Sequence, residues 1–497
     1  MAGLLLGDLL ANVGTGMIIV AMPVQTLSLH GGVPKAIAIG LVEAAPFVLS
    51  TVLALAIGLG RVRVPPRALL VADCVLRSLT FAALGVLAVT GTLTLPVLIA
   101  GLLFGATFRL AGSSSRRLLA TSAAGETGRF SVNGLLGLNT TFALYIAGPV
   151  LGGLIVATAG AGYALFFDAG GALILLVATL LFVPRSAGGR DALREPKTSG
   201  WRILRRRPVA ARLLVVEFFF NFLYMPIEVA LPLYVSGTLH AGPSGLGLLW
   251  GALGAGAFVG AALVSRLRTL PQRPLLVAII GLWALCPIGL AVVGDLTAAL
   301  VVFALGGLVY APFTPVAYSF LQSGLEPGEQ QQVVTLWTTG ATVAAPLGLA
   351  LGGPLIELTG TTGGLVLSGV LTLLLLPIAA RAVLGRTPKG NSHVPEPPDR
   401  GAGAPARTGP AAPRPRPHRP RRDRRPRGAR PRRRDDGRAP DPPVPARLRL
   451  LATRVPAAGH GGQESRSAGA RARRSVIATE PVHVRARRRP DRPGEPR

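Results

Sequence analysis

Residues 161–183 read AGYALFFDAGGALILLVATLLFV, and an arginine-rich segment, residues 185–208, follows them. The apolar stretch carries a single charged side chain, Asp168. At a rise of about 1.5 Å per residue, a helix of this length crosses a hydrocarbon core of about 30 Å. Irregular backbone cannot face lipid, because its N–H and C=O groups would have no partners there. The stretch therefore predicts a membrane helix that ends on a basic loop.

Stretches of this kind recur along most of the chain. Half of the 497 residues are hydrophobic and 15% are charged, whereas soluble proteins carry about 25% charge. The mean hydropathy is +0.49. This composition excludes a soluble enzyme for most of the chain. We predict twelve membrane helices, numbered spans 1 to 12, at residues 4–28, 37–59, 68–90, 95–114, 132–157, 161–183, 209–236, 244–265, 274–293, 297–321, 331–357 and 363–384.

Lysine and arginine are distributed unequally among the predicted loops. The loops that follow spans 2, 4, 6 and 8 carry eighteen of them, whereas the opposite set of loops carries only Lys35. The loop after span 2 contributes Arg61, Arg63 and Arg67. Because cytoplasmic loops are enriched in these residues, we predict a multi-pass protein of the cell membrane with both termini in the cytoplasm.

The two halves of the chain resemble each other at a spacing near 200 residues. Three sets of residues match, namely Glu126 and Gly128 with Glu326 and Gly328, Gly152, Gly153 and Gly160 with Gly352, Gly353 and Gly360, and the run from Arg67 with the run from Arg273. This order is what duplication of a six-helix unit predicts. We therefore predict a first bundle over residues 1–184, a cytoplasmic linker over 185–208 and a second bundle over 209–386.

Residues 387–497 differ in composition from the rest of the chain. They hold 29 of the 52 lysine and arginine residues, in runs such as Pro413 to Arg419. Few apolar side chains are available to offset the entropy of ordering, so we predict a disordered basic tail. The tail can be an inert extension, a contact for anionic lipid, or the product of a shifted reading frame. It has almost no aromatic residues for base stacking, so no nucleic-acid partner is expected.

Several motifs in residues 3–385 resemble the major facilitator superfamily, and within it the bacterial branch of drug and siderophore exporters, of the macrolide-efflux and enterobactin-exporter types. They are Gly7-Asp8-Leu9 with Asn12-Val13-Gly14, Ala72-Asp73 with Arg77, and Gly148-Pro149-Val150-Leu151-Gly152-Gly153. The last is similar to the core of the antiporter motif of drug/proton exporters. Two positions depart from the branch: Arg61 and Thr15 stand where an Asp is usual.

The resemblance implies an all-α fold of two pseudo-symmetric six-helix bundles that works by alternating access. It also implies that spans 1, 4, 7 and 10 line a central cavity. Ionisable residues on these spans are therefore the transport or coupling candidates, namely Asp8, Arg109, Glu217 and Glu228. A buried ionisable group in a membrane helix is costly and is a functional candidate by default. A carboxylate with no fixed cation suits proton exchange.

Alternatives stand beside each of these candidates. Glu217 and Glu228 are eleven residues apart and share a helix face, and they can instead be solvated at the two interfaces. Asp8 lies near the cytoplasmic end of span 1, where a solvated role is expected. Arg109 can bind an anionic substrate. Glu43 and Asp168 lie near the outer ends of spans 2 and 6.

Asp73 and Arg77 are four residues apart on one helix face near the cytoplasmic end of span 3. They predict a cytoplasmic gate cluster with Arg109, or else a static pair that stabilises the fold. In span 5, Pro149 predicts a kink, and Gly148, Gly152 and Gly153 allow close helix approach. The resemblance implies that this bend controls leakage on the outer side, and the alternative is ordinary tight packing.

Signatures of enzymes and cofactors are missing from the sequence. It contains no GxxxxGK[ST] loop and no histidines at metal-ligand spacing. Cys74 and Cys286 each lie in an apolar run, which does not indicate a disulfide or a thiolate site. We expect no enzyme activity, no cofactor and no metal.

The function that follows is proton-coupled efflux of a small amphipathic compound, a drug, natural product or siderophore, by a monomer in the lipid bilayer. Uptake of a nutrient or metabolite, and coupling to sodium instead of protons, remain open. A third hypothesis is a membrane sensor or scaffold that does not transport and acts through its basic tail.

Overall fold

A computed structural model describes residues 2–58, 61–62, 64–184, 200–267 and 270–383, and these residues are helical apart from short connections. The all-α prediction is confirmed. The predicted tail lies outside the described residues, as does most of the predicted linker.

The described residues form sixteen α-helices and one π-helical segment. In chain order they are α1 Ala2–Leu29, α2 Lys35–Gly58, α3 Pro66–Val89, α4 Leu95–Gly105, α5 Arg109–Ala123, α6 Gly125–Asn139, a π-helical segment Thr140–Ala147, α7 Gly148–Thr158, α8 Ala161–Phe182, α9 Gly200–Arg206, α10 Pro208–Gly237, α11 Pro243–Leu267, α12 Gln272–Val292, α13 Leu296–Tyr310, α14 Phe313–Ser323, α15 Pro327–Leu373 and α16 Leu376–Val383.

These helices form the predicted membrane spans. Spans 1 to 3 are α1 to α3, span 4 is α4 and α5, and span 5 is α6, the π-helical segment and α7. Spans 6 to 9 are α8, α10, α11 and α12, and span 10 is α13 and α14. Eleven helices in the described part of the chain are long and apolar enough to cross a membrane. The last of them is bent at Gly360, where φ is 73° and ψ is 166°, and this break divides it into spans 11 and 12.

Span 4 is longer than its predicted end at residue 114. It continues to Ala123, with a break between Gly105 and Arg109. The added turns are polar on one side and buried on the other, through Ser115 and Leu119. Hydropathy marks where the apolar surface ends, and the helix continues beyond that point because its buried face continues. Arg109 consequently lies midway along the span, not near its cytoplasmic end.

The helices pack into two groups that follow the two halves of the sequence. In the first half, α1 packs on α8 and α7, and α3 packs on α8, α5 and α4. In the second half, α10 packs on α15 and α11 packs on α13. The helix α12 packs on both α13 and α15. The halves are joined chiefly by α2 with α15 and by α11 with α7 and the π-helical segment before it, and smaller contacts join α2 to α10 and α1 to α10 and α11. Together the described helices form one compact unit.

The contacts that join the halves lie on one side of the molecule. We call it the outer side, because the charge distribution predicts that it faces away from the cytoplasm, and we call the opposite side the inner side. On the outer side, the backbone of Gly353 lies so close to span 2 that an added Cβ would be 2.9 Å from the Cα of Ile37. Gly153 packs equally closely on Gly247 of span 8. We call these two contacts the outer seal.

The hydrophobic core shows the same asymmetry. A large cluster around the second half includes Val20 and Ile39 from the outer parts of spans 1 and 2. On the inner side, the cluster that contains Leu70 and Leu136 consists of residues of the first half. The described core therefore connects the halves on the outer side.

The backbone repeats the pattern that the sequence predicts. Gly160 and Gly360 both adopt positive φ, 104° and 73°, at the turns that follow spans 5 and 11. Gly148 packs on span 1, and Gly348 packs on span 7. Corresponding glycines thus make corresponding contacts.

Candidate functional site

Charged and phenolic side chains from five spans interact beside the outer seal. We call this group the central polar site; it consists of Glu43, Arg109, Tyr145, Tyr224, Glu228 and Tyr310. Spans 2, 4 and 5 of the first half and spans 7 and 10 of the second contribute to it. Two of the four predicted transport candidates, Arg109 and Glu228, belong to it. Of the other two, Glu217 acts on the charge of Tyr310 in this group, whereas Asp8 pairs with Arg116 in the first half.

Two carboxylates from opposite halves act on each other electrostatically in this site. Glu43 of span 2 and Glu228 of span 7 are close enough for their charges to repel each other. The Oε2 atom of Glu43 is buried and has no hydrogen-bond partner among the described residues. Glu43 lies one turn beyond Gly40, which packs on Gly353 in the outer seal. The site therefore lies at the closed end of the space between the halves.

Arg109 supplies the positive charge of the central polar site. Its Cζ atom lies 5.0 Å from the centroid of the Phe47 ring, a cation–π arrangement. Its charge also acts on Glu228 and Tyr145. The break in span 4 before Arg109 lets the helix change direction at this residue.

Arg77 has a different partner from the one that the sequence predicts. Its Nε atom donates to Oδ2 of Asp168, 2.7 Å away, and its Nη2 atom bonds Oδ1 of the same carboxylate. Nη2 also contacts the Thr15 hydroxyl at 2.6 Å and the Ala11 carbonyl at 3.0 Å. The predicted pairing of Arg77 with Asp73 is therefore corrected to a pairing with Asp168. Helix periodicity places neighbours on one helix face but does not identify partners on another helix.

A small cavity adjoins this buried pair. It has a volume of about 20 Å³, enough for one water molecule, which needs about 10–15 Å³. Its polar wall is formed by Thr15, Arg77, Asp168 and Arg109. The cavity thus lies between the interior of the first half and the central polar site.

Asp73 is buried in the first half without an ion-pair partner among the described residues. Its carboxylate lies against the backbone of Gly112 in span 4, and its Oδ1 atom has no hydrogen-bond partner. Arg77, Arg109 and Arg116 all act on its charge. The gate role of Asp73 and Arg77 stays a prediction.

Asp8 is buried, contrary to the solvated position that we expected. It is 1% exposed, and Nε of Arg116 lies 2.8 Å from its Oδ1 atom. Nδ2 of Asn139 donates to Oδ2 at 3.3 Å. The position of Asp8 near the end of span 1 suggested the membrane–water interface, but the extended inner part of span 4, which carries Arg116, covers this residue.

Glu217 occupies the position in span 7 that corresponds to Asp8 in span 1. The sequences Asp8-x-x-x-Asn12 and Glu217-x-x-x-Asn221 stand in the same register, each with a proline eleven residues after the asparagine. Glu217 is 3% exposed, and its Oε2 atom has no hydrogen-bond partner. It takes part in none of the described ion pairs. Counterparts in the repeat therefore differ: one acid has an arginine, and the other has none.

Aromatic rings cover the space next to Glu217 and Glu228. Phe220 stacks on Phe313 with ring centroids 4.0 Å apart, and Tyr224 lies 5.3 Å from Tyr310. Trp283 lies 4.8 Å from Tyr310. The aromatic residues of span 7 lie in two environments. Phe220 and Tyr224 join a buried cluster, whereas Phe219 is 41% exposed.

The glycine-proline motif of span 5 packs on two other spans. Gly148 meets Gly16 of span 1, Gly152 meets Met17, and Gly153 meets Gly247 of span 8. A π-helical segment ends immediately before the motif, and such segments bend helices. Close packing is therefore observed, and control of leakage stays a prediction.

The basic residues of the loop after span 2 are partly described. Arg61 is exposed. Arg67 donates from Nε to the carbonyl oxygen of Val183 at 3.0 Å, and so joins the start of span 3 to the end of span 6. Arg63 lies outside the described residues.

Within the described ranges, no group of three or more His, Cys, Asp and Glu residues is placed to hold a metal ion. Cys74 and Cys286 are buried thiols in separate halves.

Sequence reasoning undervalued Glu43 and Asp168. Both were placed near helix ends, yet Glu43 belongs to the central polar site and Asp168 is fully buried against Arg77. The sequence did carry a signal for both residues. Each is an acid in an otherwise apolar span, where burying an ionisable group costs free energy. Phe47 and Tyr145 carried no such signal, because aromatic residues are common in membrane helices.

Comparison with known proteins identifies relatives of the whole helical region. Residues 4–296 and, in a second match, residues 213–430 match the Major Facilitator Superfamily. The chain is 32% identical over 373 residues to the multidrug efflux pump Tap of Mycolicibacterium fortuitum, covering 72% of this chain and 89% of that protein. It is 25% identical over 234 residues to the uncharacterized MFS-type transporter y4rN of Sinorhizobium fredii, covering 46% and 58%.

Solved structures share the fold at low sequence identity. The nucleoside transporter NupG superposes with a TM-score of 0.61 at 11% identity, covering 77% of this chain and 98% of that one. A bacterial homologue of the lysosomal transporter Spinster, in an inward-facing and unoccupied conformation, gives 0.57 at 15% identity, covering 77% and 96%.

Proposed function

Because this chain belongs to the Major Facilitator Superfamily, we propose that it is a proton-coupled exporter of small amphipathic compounds such as drugs, natural products or siderophores. Membership makes the chain a multi-pass secondary transporter of a small molecule and not an enzyme. The export direction is supported by the similarity to Tap, whose name describes multidrug efflux. Location in the cell membrane with both termini in the cytoplasm, and action as a monomer, belong to the same proposal.

The observation that carries the proton coupling is the buried carboxylate of Glu217, which has no cation among the described ion pairs. A buried charge must be neutralised, either by a partner or by a proton. Asp8, its counterpart in the repeat, has Arg116 at 2.8 Å. Glu217 has no such partner among the described ion pairs. A carboxylate in this position can be carried through the transport cycle in its neutral form and can release its proton when water reaches it.

The packing of the halves supports alternating access. The outer seal closes one end of the space between the halves through backbone-to-backbone glycine contacts. Rocking of two bundles about a site between them opens one side as the other closes. In this cycle the outer seal separates for release, and the predicted bundles at 1–184 and 209–386 are the moving parts.

The decisive test uses purified full-length protein in liposomes that contain a pH-sensitive dye. We expect an exported compound to drive proton movement in the opposite direction, and Glu217→Gln to abolish that movement because the amide cannot exchange a proton. Glu357→Gln, on an exposed glutamate of span 11, is the matched control and should behave as the native protein. Proton movement in the same direction as the compound would identify an uptake transporter, and dependence on sodium would exclude proton coupling.

A second variant converts the isolated acid into a paired one. Val316 stands 200 residues after Arg116, at the corresponding place in span 10. Val316→Arg should give Glu217 a cation of its own and stop proton coupling while the protein stays folded. Combined with Glu217→Gln, the arginine loses its partner, so the double variant should unfold more easily than Val316→Arg alone. Unchanged coupling in Val316→Arg would contradict the role of Glu217.

A further inference from the structure

A groove lies at the inner end of the first half, between the start of span 3 and the end of span 6. Its volume is about 490 Å³, within the range of about 300–1,000 Å³ that is usual for small-molecule sites. The described residues that line it are one cation and five uncharged residues, namely Arg67, Leu180, Leu181, Phe182, Val183 and Pro184. The groove therefore combines a positive charge with an apolar wall, and no acid is among these residues.

The apolar wall continues a face of span 6 that is exposed along most of its length. Side chains three or four residues apart are between 45% and 71% exposed on this face, namely Leu173, Ile174, Val177, Leu180 and Leu181. In a multi-pass membrane protein, an exposed helix face of this composition lies against lipid. The ring of Phe182 lies against the backbone of Gly3 in span 1, which fixes this end of the wall. The groove thus opens toward the lipid around the inner end of the first half.

Arg67 is held in place by a contact with the backbone of span 6. Its Nε–H group donates to the carbonyl oxygen of Val183, 3.0 Å away, one of the groups that a helix end leaves without an intrahelical partner. In the described part of the chain, its Nη1 and Nη2 atoms have no hydrogen-bond partner, and no ion pair includes Arg67. Because a guanidinium group has five N–H donors, four remain for a ligand.

The corresponding residues of the second half are arranged differently. Arg273 stands at the place of Arg67 in the repeat, and its Cζ atom lies 5.8 Å from the centroid of the Phe320 ring. Arg381 stands 200 residues after Leu181 and is exposed. A second cation thus replaces part of the apolar wall, so Arg273 offers a matched control for Arg67.

We propose that this groove binds an anionic phospholipid, with the phosphate on the guanidinium group of Arg67 and an acyl chain along Leu181 and Phe182. The planar fork of arginine donors matches two oxygens of a phosphate, and basic pockets beside membrane helices suit lipid headgroups. A zwitterionic headgroup is disfavoured, because it brings a second cation next to Arg67 and no acid in the groove receives it. Such a lipid binds whether or not the protein exports its substrate against protons.

The test measures binding of single lipids to the purified, delipidated full chain in detergent by native mass spectrometry. Dioctanoyl phosphatidylglycerol is compared with dioctanoyl phosphatidylcholine, which has the same chains and phosphate but adds a quaternary ammonium group. We expect phosphatidylglycerol to bind at least about tenfold more tightly, as for one hydrogen-bonded charge pair. Equal binding of the two lipids overturns the proposal without requiring any variant.

Variants that remove the same charge at different places locate the site, because arginines elsewhere in the chain also attract anionic lipid. Arg67→Gln should reduce the preference for phosphatidylglycerol to about twofold or less, whereas Arg273→Gln should stay within about twofold of the native protein. Arg67→Lys keeps the charge without the fork of donors and should retain part of the preference. A preference that survives Arg67→Gln, or that falls equally in Arg273→Gln, assigns the lipid to other cations and overturns the site.

The contact with the acyl chain is tested separately. Glycerophosphoglycerol, the headgroup without its chains, should not displace the lipid even at about 100-fold excess, because burial of the chain contributes to the affinity. Leu181→Ser should weaken binding of phosphatidylglycerol, whereas Leu282→Ser, on an exposed leucine of span 9 that is 54% exposed, should not. Displacement by the headgroup would identify a site for soluble phosphate esters, and equal binding in the two serine variants would remove the apolar wall from the site; either result contradicts the lipid assignment.

Thermal unfolding gives a second readout that does not depend on the mass spectrometer. A lipid that binds the folded protein raises its unfolding temperature. Added phosphatidylglycerol should therefore stabilise the native protein and Arg273→Gln, but not Arg67→Gln. The shift caused by the lipid is compared within each variant, since Arg67→Gln also loses the contact with Val183. A shift in Arg67→Gln as large as in the native protein would rule out Arg67 as the phosphate ligand.

Discussion

The two halves of this transporter share one backbone plan but have different interiors. In the first half, Arg77 of span 3 binds Asp168 of span 6 and Thr15 of span 1. The corresponding positions in the second half are Trp283, Ser368 and Tyr224, at the offsets that the repeat sets for spans 9, 12 and 7. A buried ion pair in one half thus stands where the other half has stacked rings.

Corresponding spans touch each other in both halves, although the side chains at each contact differ. The rings of Trp283 and Tyr224 stack with centroids 5.5 Å apart. This contact stands in the place of the contact between Arg77 and Thr15 in the first half. Ser368 donates to the carbonyl oxygen of Leu223 at 2.6 Å, where Asp168 accepts from Thr15 in the first half. Duplicated helices therefore keep their neighbours while the pairs at each contact diverge. The difference leaves one half with internal charge pairs and the other with an apolar wall.

The location of ion pairs differs in the same way. The first half has Arg77–Asp168 and Arg116–Asp8 in its interior, with carboxylates 0% and 1% exposed. The described pairs of the second half involve Arg207 with Glu326 and Glu329 near the inner surface, where the Glu326 side chain is 76% exposed. Buried and exposed pairs contribute very differently to stability. Three substitutions should therefore lower the free energy of unfolding by successively smaller amounts.

The largest effect is expected from Arg77→Leu, because it leaves Asp168 buried without its cation. Removing one partner of a buried pair costs about 3–5 kcal/mol, and we expect this loss in the free energy of unfolding in detergent. The double variant Arg77→Leu with Asp168→Leu should recover most of it, since an apolar pair leaves no charge unpaired. If the single variant is no less stable than the double, the ion pair does not organise the first half.

A smaller effect is expected from Ser368→Ala at the corresponding contact of the second half. This change removes one buried hydrogen bond to Leu223, for which the expected loss is about 1 kcal/mol. Thr372→Ala, one turn along the same span, is the matched control, because the Thr372 hydroxyl bonds only its own helix at Ser368. A loss as large as that of Arg77→Leu would show that the two interiors depend on polar contacts equally.

The smallest effect is expected from Arg207→Ala. Its contacts with Glu326 and Glu329, both at 3.0 Å, are partly exposed, and exposed pairs contribute at most about 1 kcal/mol. The difference from the native protein should vanish in 1 M salt, where screening acts within about 3 Å. A salt-independent loss would mean that Arg207 acts by packing. Thermal unfolding at two salt concentrations distinguishes these outcomes.

Much of the fold could be predicted from local features of the sequence. Runs of about 20 apolar residues determine the spans, since lipid accepts only helices whose backbone groups are satisfied internally. The spacing of Gly152, Gly153 and Gly160 from Gly352, Gly353 and Gly360 predicted the repeat, because close helix contacts and positive φ turns restrict these positions to glycine. Such constraints are readable in a sequence because each one depends on a single residue type.

Other features depended on contacts between residues that are far apart in the sequence. Arg77 is four residues from Asp73, but it binds Asp168, 91 residues away, because spans 3 and 6 pack against each other and bring these two side chains together. Asp8 and Glu217 look equivalent in sequence, and the tertiary structure distinguishes them, because Arg116 of span 4 pairs with Asp8 and no described ion pair includes Glu217.

The central polar site has the same origin. Glu43, Arg109 and Glu228 come from three spans and two halves, so no local pattern marks them as a group. The sequence determined where the helices are, which side chains are costly to bury and how the halves repeat, since these follow from hydropathy and local sterics. The tertiary structure decided which charges neutralise each other and which do not, because in low dielectric that outcome depends on distances between helices.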